Sequence, residues 1–244
     1  MQPVIFKDLG LIDYKSAWDY QEQLLQENVA VKTEARKSGS SVEPSLLETI
    51  NYFLLCEHTP VYTLGKSGSI DNILLDDEQM KDKGIEFFRT NRGGDITFHG
   101  LQQIVGYPIL DLEKFYTDIG KYLRNLEEVI IRVLAHYDLK GQRSSGETGV
   151  WLDPDIKGRE RKICALGVRC SRWITMHGFA FNVNTDLDYF NHIVPCGIAN
   201  KQVASLEKEL GYSLDMDSVK ALVMKEFQEV FQVDLLADEA ILSK

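Results

Sequence analysis

The feature that most constrains the fold is one long amphipathic segment, residues 115–137. From Ile119 to Tyr137 its apolar residues recur at three- and four-residue steps and form a stripe along one side of a helix. Further helices are predicted at residues 12–29 and 218–231. β-prone runs flank the long helix in the sequence, at residues 52–56, 61–64, 86–90, 95–98, 104–110, 148–152, 162–170 and 173–182. Strands in small groups with helices between them predict an α+β or mixed α/β sheet rather than a strict β-α-β repeat.

The composition agrees with a single domain over residues 1–244. The chain is 44% hydrophobic and 26% charged, as in ordinary globular proteins. A chain of this length buries enough surface to fold without disulfide or metal staples. Residues 33–45 are rich in Ser, Gly, Pro and charge, and they are predicted to form a flexible loop.

The charge balance argues against nucleic acid or an anionic membrane as a partner. Acidic residues outnumber basic ones by 37 to 27, giving a formal net charge of -10, whereas phosphate binding needs a cationic excess. The charge is uneven, because basic residues outnumber acidic ones by eight to four between Lys140 and Arg172. That segment is a candidate docking surface for an acidic partner, although a solvated surface explains most such runs.

Four cysteines and five histidines lack the spacing of a metal site, so none is predicted. The N-terminus has no basic region followed by an apolar run, which argues against a signal peptide. Every apolar run is too short to span a membrane. The expected location is the cytoplasm.

Two glycine-bearing segments invite a ligand-binding interpretation. Residues 60–67, PVYTLGKS, nearly match the phosphate-binding loop, but the first glycine is replaced by Pro60, and a strand that ends in a glycine turn fits better. In the second segment Arg92 precedes Gly93 and Gly94, and His99 follows five residues later. Paired glycines let a backbone approach a ligand closely. A hairpin turn with a surface arginine and histidine fits the same spacing, so both interpretations stay open.

Cys196 differs from the other three cysteines in its surroundings. It lies between Pro195 and Gly197 in a predicted turn, whereas Cys56, Cys164 and Cys170 lie in predicted strands. A turn cysteine can be exposed, and a nearby amine or imidazole would favour its thiolate. Such a thiolate would suit acyl transfer through a thioester. The residues alone leave nucleophilic and structural roles open.

Four segments carry a family resemblance: EHTPVYTLGKSG at 57–68, RGGDITFHG with QIVGYPILDL within 92–112, KICALGVRCSRWITMHGFAFNVNTDL at 162–187, and FNHIVPCGI at 190–198. In these segments the chain resembles the lipoyl(octanoyl) transferases of lipoate biosynthesis. The resemblance implies a single domain like the biotin and lipoate protein ligases, with a mixed, largely antiparallel sheet and packed helices. One departure is Leu101-Gln102-Gln103 after His99-Gly100, where the family usually has Pro-Gly-Gln, and it puts the local turn in question.

The resemblance also implies roles for particular residues. Cys196 becomes the acyl-accepting nucleophile, and Lys162 the residue that lowers its pKa and transfers protons. The implied substrate-binding residues are Arg92, Gly93, Gly94, Asp95, Ile96, Thr97, Phe98, His99, Ala165, Leu166, Gly167, Gly178, Phe179 and Ala180.

The implied reaction transfers an octanoyl group from octanoyl-acyl carrier protein to a lysine of a lipoyl domain. The acceptors are the lipoyl domains of 2-oxoacid dehydrogenase complexes or the glycine cleavage H protein. No cofactor, metal, nucleic acid or membrane is implied. Two alternatives stay open: an ATP-dependent lipoate or biotin ligase of the same fold, and a non-catalytic module that binds lipoyl domains or acyl chains.

Overall fold

The structure is a computed structural model that describes residues 1–194 and 202–237. The strands of this part of the chain are β1 Gln2–Ile12, β2 Tyr52–His58, β3 Val61–Leu64, β4 Glu86–Arg89, β5 Ile96–His99, β6 Gln103–Ile109, β7 Gln142–Ser144, β8 Glu147–Leu152, β9 Arg161–Ser171, β10 Ile174–Asn182, β11 Gln202–Val203 and β12 Val233–Ala237. The helices are α1 Tyr14–Lys37, α2 Asp77–Asp82, α3 Ile119–Ala135, α4 Leu206–Leu210 and α5 Met216–Phe231. Each predicted strand and helix is present, with ends shifted by four residues or fewer, except that the first helix extends eight residues further, to Lys37.

The described strands form two sheets. The larger has nine strands in the order β12-β1-β2-β6-β10-β9-β8-β7, with β11 paired to the end of β9. Its centre, from β2 through β6 and β10 to β9 and β8, is antiparallel, while β12-β1, β1-β2 and β11-β9 are parallel. The smaller sheet has the order β4-β3-β5. The predicted class, a mixed and largely antiparallel sheet with packed helices, is therefore confirmed.

Helices cover the two faces of the large sheet differently. The stripe of α3, with Leu126, Ile130 and Val133 fully buried, packs with α5 against one face. The long helix α1 lies on the other face, where Leu25 packs against Tyr107 and its strand neighbours. No helix in the described ranges is long and apolar enough to cross a bilayer.

Helix α1 differs from the prediction at its C-terminal end. It runs to Lys37, so the predicted loop at residues 33–45 is wrong for residues 33–37. The buried Lys32 explains the extension, because its Nζ atom lies 2.5 Å from Asp111 Oδ1 and 2.7 Å from Glu113 Oε2. This ion pair holds the last turns of the helix against the sheet.

Capping residues set the other helix boundaries. Asp118 accepts a hydrogen bond from the backbone of Lys121, so α3 begins at Ile119 rather than at residue 115. Asp215 caps α5 in the same way through Ser218. The segment resembling a phosphate loop forms strand β3 followed by a turn in which Gly65 N donates to Asp95 O, at 3.2 Å.

Candidate active site

A cavity of about 690 Å³ has walls from both sheets. Its volume falls within the roughly 300–1,000 Å³ typical of small-ligand pockets. Strands β5, β6, β9 and β10 supply most of the wall, Tyr14 of α1 closes one part, and Ile119 and Leu123 of α3 add apolar surface elsewhere. The cavity is also long, because Lys162 and Val168 both line it and lie six residues apart on β9, about 20 Å at ~3.3 Å per residue.

The structure brings most of the predicted site residues together around this cavity. The members that line it are Lys162, Arg92, Gly93, Gly94, Asp95, Ile96, Thr97, His99, Ala165, Leu166, Gly167, Gly178, Phe179 and Ala180.

Two predicted residues stand apart from this set. Phe98 does not line the cavity. Its side chain is buried in the core of the small sheet, where its ring stacks on Tyr189 at a centroid distance of 4.5 Å. Cys196 lies outside the described residues. The described cavity residues that precede and follow it in the chain are Phe190 and Val203.

The loop that carries Arg92, Gly93 and Gly94 is fixed against the large sheet. Gly93 N donates to Val168 O at 2.9 Å, and Arg92 Nη1 donates to Gly93 O at 3.0 Å. The approach to β9 is so close that a Cβ atom on Gly167 would lie 2.7 Å from Gly93 O. A glycine at 167 is therefore required for the loop to contact β9 at the cavity.

A chain of hydrogen bonds with one direction runs along the cavity wall from this loop. Arg92 Nη2 donates to Thr63 Oγ1 at 2.9 Å. At the far end Gln103 Nε2 donates to Asn182 Oδ1 at 2.8 Å. Gln103 Oε1 therefore faces His99 Nδ1, 3.0 Å away, and accepts a hydrogen bond from its N–H group. His99 Nε2 is then the acceptor of the Thr63 hydroxyl, at 3.2 Å. His99 is held as the neutral Nδ1–H tautomer, with both ring nitrogens occupied.

The same chain reaches the main chain of Lys162. Asn182 Nδ2 donates to Ala204 O at 2.9 Å. Ala204 N in turn donates to Lys162 O at 2.9 Å. Hydrogen bonds thus reach residue Ala204 from both sides, at its carbonyl from the Arg92 loop and at its amide from Lys162.

Two further buried histidines lie beside this wall. His58 Nδ1 donates to Ile12 O at 2.9 Å, so its Nε2 accepts from Tyr107 Oη at 2.7 Å. Burial lowers the pKa of His58 to about 4. It also lowers the pKa of His99 well below its ordinary value, with His58 and Arg92 acting in the same direction. These imidazoles are neutral at physiological pH.

His177 supports the base of the Arg92 loop. Its backbone is in the left-handed region, with φ of 57°, and its Nε2 lies 2.8 Å from Asn91 Oδ1, to which it donates. Burial, together with the positive charges of Arg92 and Arg169, lowers its pKa to about 3. His177 therefore acts here as a neutral hydrogen-bonding group.

The described cysteines are poor nucleophiles. Cys56 and Cys164 are buried and Cys170 is half-buried, and burial raises the pKa of all three thiols. Each stays protonated at neutral pH.

The basic segment between residues 140 and 172 is largely engaged within the chain. Arg143 contacts Glu127 and Glu128, and Arg161 lies 2.6 Å from Glu209. Arg169 pairs with Glu22 of α1, at 2.7 Å. Six of its charged side chains are exposed: Lys140, Arg143, Asp155, Lys157, Arg159 and Arg172. Two of these, Arg143 and Arg159, contact carboxylates of the chain. The surface is consequently less cationic than the sequence count indicates.

Comparison with known proteins agrees with this fold and cavity. Residues 13–228 match the family model described as the lipoyl protein ligase A/B catalytic domain. Among solved structures, a bipartite lipoate protein ligase from Thermoplasma acidophilum superposes with a TM-score of 0.69 at 18% identity, covering 98% of this chain and 87% of that one. This chain belongs to the lipoyl protein ligase A/B catalytic domain family.

Within that family, its curated relatives are acyltransferases. The chain is 54% identical over 230 residues to the octanoyltransferase of Christiangramia forsetii, covering 94% of this chain and 96% of the relative. It is also 54% identical over 231 residues to that of Flavobacterium psychrophilum, covering 94% and 97%. The predicted resemblance and enzyme class are confirmed, and the chain is an octanoyltransferase of lipoate biosynthesis.

Several cavity residues are not predicted from the sequence. Tyr14 lies at the start of the predicted helix at residues 12–29, and Gln103 and Tyr107 lie within QIVGYPILDL, a segment that implies no site residue. His177 lies within the segment at 162–187 and directly precedes Gly178, a predicted site residue, and these are the local signals that could have found it.

Proposed function

We propose that this octanoyltransferase takes its acyl group from octanoyl-acyl carrier protein, holds it as a thioester on Cys196, and passes it to a lysine of a lipoyl domain. The observation that carries the proposal is the cavity, in which Lys162 and the Arg92 loop share one continuous wall. The wall is apolar at Leu166 and Phe179 and polar at His99, which suits an acyl chain with a polar carbonyl end.

In the first half-reaction, the Cys196 thiolate attacks the carbonyl carbon of the donor thioester. The tetrahedral intermediate collapses with loss of the carrier thiolate, which takes up a proton, and the octanoyl group remains on Cys196. Lys162, as an ammonium, favours the Cys196 thiolate and can supply that proton. Backbone amides near Cys196 or Gly167 are candidates for stabilising the oxyanion.

In the second half-reaction, a lysine amine of the acceptor attacks the Cys196 thioester. The C–S bond breaks, an amide forms, and the amine proton passes to Lys162, which restores the Lys162 ammonium and leaves Cys196 as the thiolate for the next cycle. A thioester is a higher-energy acyl compound than an amide, so the transfer needs no nucleotide. This agrees with strand β3 at the segment that resembles a phosphate loop.

The proposed protein partners are an acyl carrier protein as donor and lipoyl domains of 2-oxoacid dehydrogenase complexes or the glycine cleavage H protein as acceptors. The exposed Lys140, Lys157 and Arg159 are the proposed contact for an acidic donor.

Intact-protein mass after mixing with octanoyl-acyl carrier protein tests the thioester. We expect an octanoyl adduct on the wild-type chain and none on Cys196→Ser, with Cys170→Ser as a matched control that keeps the adduct. An adduct on Cys196→Ser overturns the assignment. Transfer that requires ATP and free octanoate would identify a ligase, and tight binding without turnover, unchanged in Cys196→Ala, would identify a binding module.

Alkylation by iodoacetamide tests the pairing of Cys196 with Lys162. We expect Lys162→Ala to slow alkylation of Cys196 at neutral pH, with the rate recovering as the pH rises, because the thiolate is the reactive form. Cys56 and Cys164 are buried internal controls that react slowly in both proteins. An unchanged profile in Lys162→Ala would show that another group activates the thiol.

A further inference from the structure

Lys162 faces an aromatic ring across two paired strands. Trp151 of β8 and Lys162 of β9 are directly opposite in register. Lys162 Nζ lies over the indole, 4.6 Å from the ring centroid. The indole is 2% exposed, so its position is fixed by packing, whereas Lys162 is only partly buried.

The main chain and the side-chain stem of Lys162 are also held in place. Its carbonyl accepts from Ala204 N at 2.9 Å, and β11 pairs with it through Val203. A Cβ atom on Gly149 would lie 3.3 Å from Lys162 Cε and 2.7 Å from Cys164 O. The stem therefore runs along the backbone at Gly149, where a side chain would crowd it.

The backbone at Gly149 is anchored in turn by a buried carboxylate. Glu127 of α3 is fully buried, and its Oε1 accepts from Gly149 N at 3.0 Å. Its Oε2 accepts from Arg124 Nη1 at 2.7 Å and from Arg143 Nε at 3.1 Å. The strand that carries Trp151 is thus fixed to α3 just before the indole.

An indole face attracts an ammonium ion more strongly than phenol or benzene rings do, because its electrons present a negative surface. We propose that Trp151 is a positioning residue, which holds the protonated amine of Lys162 at the cavity wall where it acts on Cys196. This inference rests on the proposed pair of Cys196 and Lys162. It assigns to the buried indole a role in the reaction in addition to packing.

The test compares Trp151→Phe and Trp151→Leu with Trp173→Leu, a partly buried tryptophan that follows the opposite end of β9 from Lys162. For Trp151→Leu we expect the midpoint of the Cys196 alkylation profile to rise by about half a pH unit to one unit, and acyl loading at pH 7 to slow about three- to tenfold. Loading should recover at high pH, where the thiolate forms without help. Trp151→Phe should lie between Trp151→Leu and wild type, and Trp173→Leu should match wild type.

A second readout does not depend on Cys196. Protons above an aromatic face resonate upfield, so the ε-methylene signal of Lys162 in isotope-labelled protein should move downfield when the ring is removed. A wild-type alkylation profile in Trp151→Leu, or a wild-type Lys162 signal, overturns the inference. If Trp151→Leu fails to fold, Trp151→Phe decides, since it keeps a buried ring.

Failure of the inference differs from failure of the proposed pair. A shifted profile in Lys162→Ala with a wild-type profile in both Trp151 variants refutes only the role of Trp151. An unshifted profile in Lys162→Ala refutes the pair itself, and the Lys162 signal then reports on the indole contact alone.

Discussion

The two faces of the large sheet differ in what they bury. The face toward α3 and α5 is packed with aromatic rings: Phe227 stacks on Phe53 at 4.0 Å and on Phe231 at 4.5 Å. The face toward α1 and the small sheet buries Tyr107 with His58 and continues into the cavity. Because side chains of a strand alternate between faces, the same strands serve both. Both faces have an apolar core, but the face toward α1 also buries the hydrogen-bonded pair of His58 and Tyr107 beside the cavity.

The largest change in stability is expected from a substitution on the face toward α3 and α5. Phe227→Ala leaves a hole between two stacked rings and should cost about 3–5 kcal/mol of unfolding free energy. The midpoint of urea denaturation measures the loss. Octanoyl loading per folded molecule should stay at the wild-type level, and a specific loss of loading would show that the two faces are coupled.

At the cavity, we expect Gly94→Val to reduce acyl loading more than it reduces stability. Gly94 has a φ of 87° and lines the cavity, so a branched side chain displaces the loop and should slow acyl loading roughly 100-fold. Gly158→Val is the matched control, because Gly158 has a φ of 82° with no neighbour within 4 Å of an added Cβ atom. It shares the backbone strain but should load at the wild-type rate. Equal losses in both variants would attribute the effect to strain alone.

Acid should lower the unfolding free energy through the buried His58, on the face toward α1. The pKa of His58 is about 4 in the folded chain and near 6.5 when unfolded, so below pH 6.5 the unfolded state binds the proton more readily. The stability contributed by neutral His58 is present above pH 6.5 and is lost as the pH falls toward 4. By pH 5.5 this amounts to about 1.4 kcal/mol from His58 alone.

Denaturation midpoints of wild type and His58→Gln between pH 7.5 and 5.5 measure this contribution. The variant should be less stable at pH 7.5 but should lose less stability on acidification. Parallel curves would show that His58 does not titrate between the two states.

The smallest effects are expected at the periphery of the site. There, substitutions of two arginines distinguish an effect on donor docking from an effect on stability. Arg159 is 66% exposed and lies 3.3 Å from Asp153, so Arg159→Glu should change unfolding free energy by less than about 1 kcal/mol. It should raise KM for the acyl carrier protein and weaken its salt dependence. Arg169→Glu instead places a carboxylate against Glu22 and should lower stability. A small octanoyl thioester serves as the control donor, since its KM should not respond to Arg159→Glu.

The sequence predicts the fold where its signals are local. Apolar runs that end in glycine turns mark the strands, and the stripe from Ile119 marks α3. Strands β1 and β12 were missed because they pair across almost the whole chain, Gln2 with Val233, and their pattern alone does not distinguish them from loops. The end of α1 was missed because a long-range ion pair of Lys32 decides it.

The same distinction between local and long-range signals applies to the residues of the candidate site. Continuous motifs such as the Arg92 loop led to residues that line the cavity. Phe98 belongs to the same motif, but its ring is buried in the core of the small sheet and does not line the cavity. Trp151 lies outside the resemblance segments, and Tyr107 lies inside one that implies no role for it. Their contacts with Lys162 and His58 exist only once strands are paired. Partners of this kind become visible in three dimensions alone.

The directed chain of hydrogen bonds from Arg92 to Ala204 has an electrical consequence. Each link donates in the same sense, so the dipoles of Thr63, His99 and Gln103 add along the cavity wall instead of cancelling. Liquid water would have to reorient around a charge that forms during a reaction, whereas these dipoles are already oriented. The amides within the chain also cannot pass a proton along it. The orientation of these dipoles toward a developing charge is therefore set when the protein folds, not during the reaction.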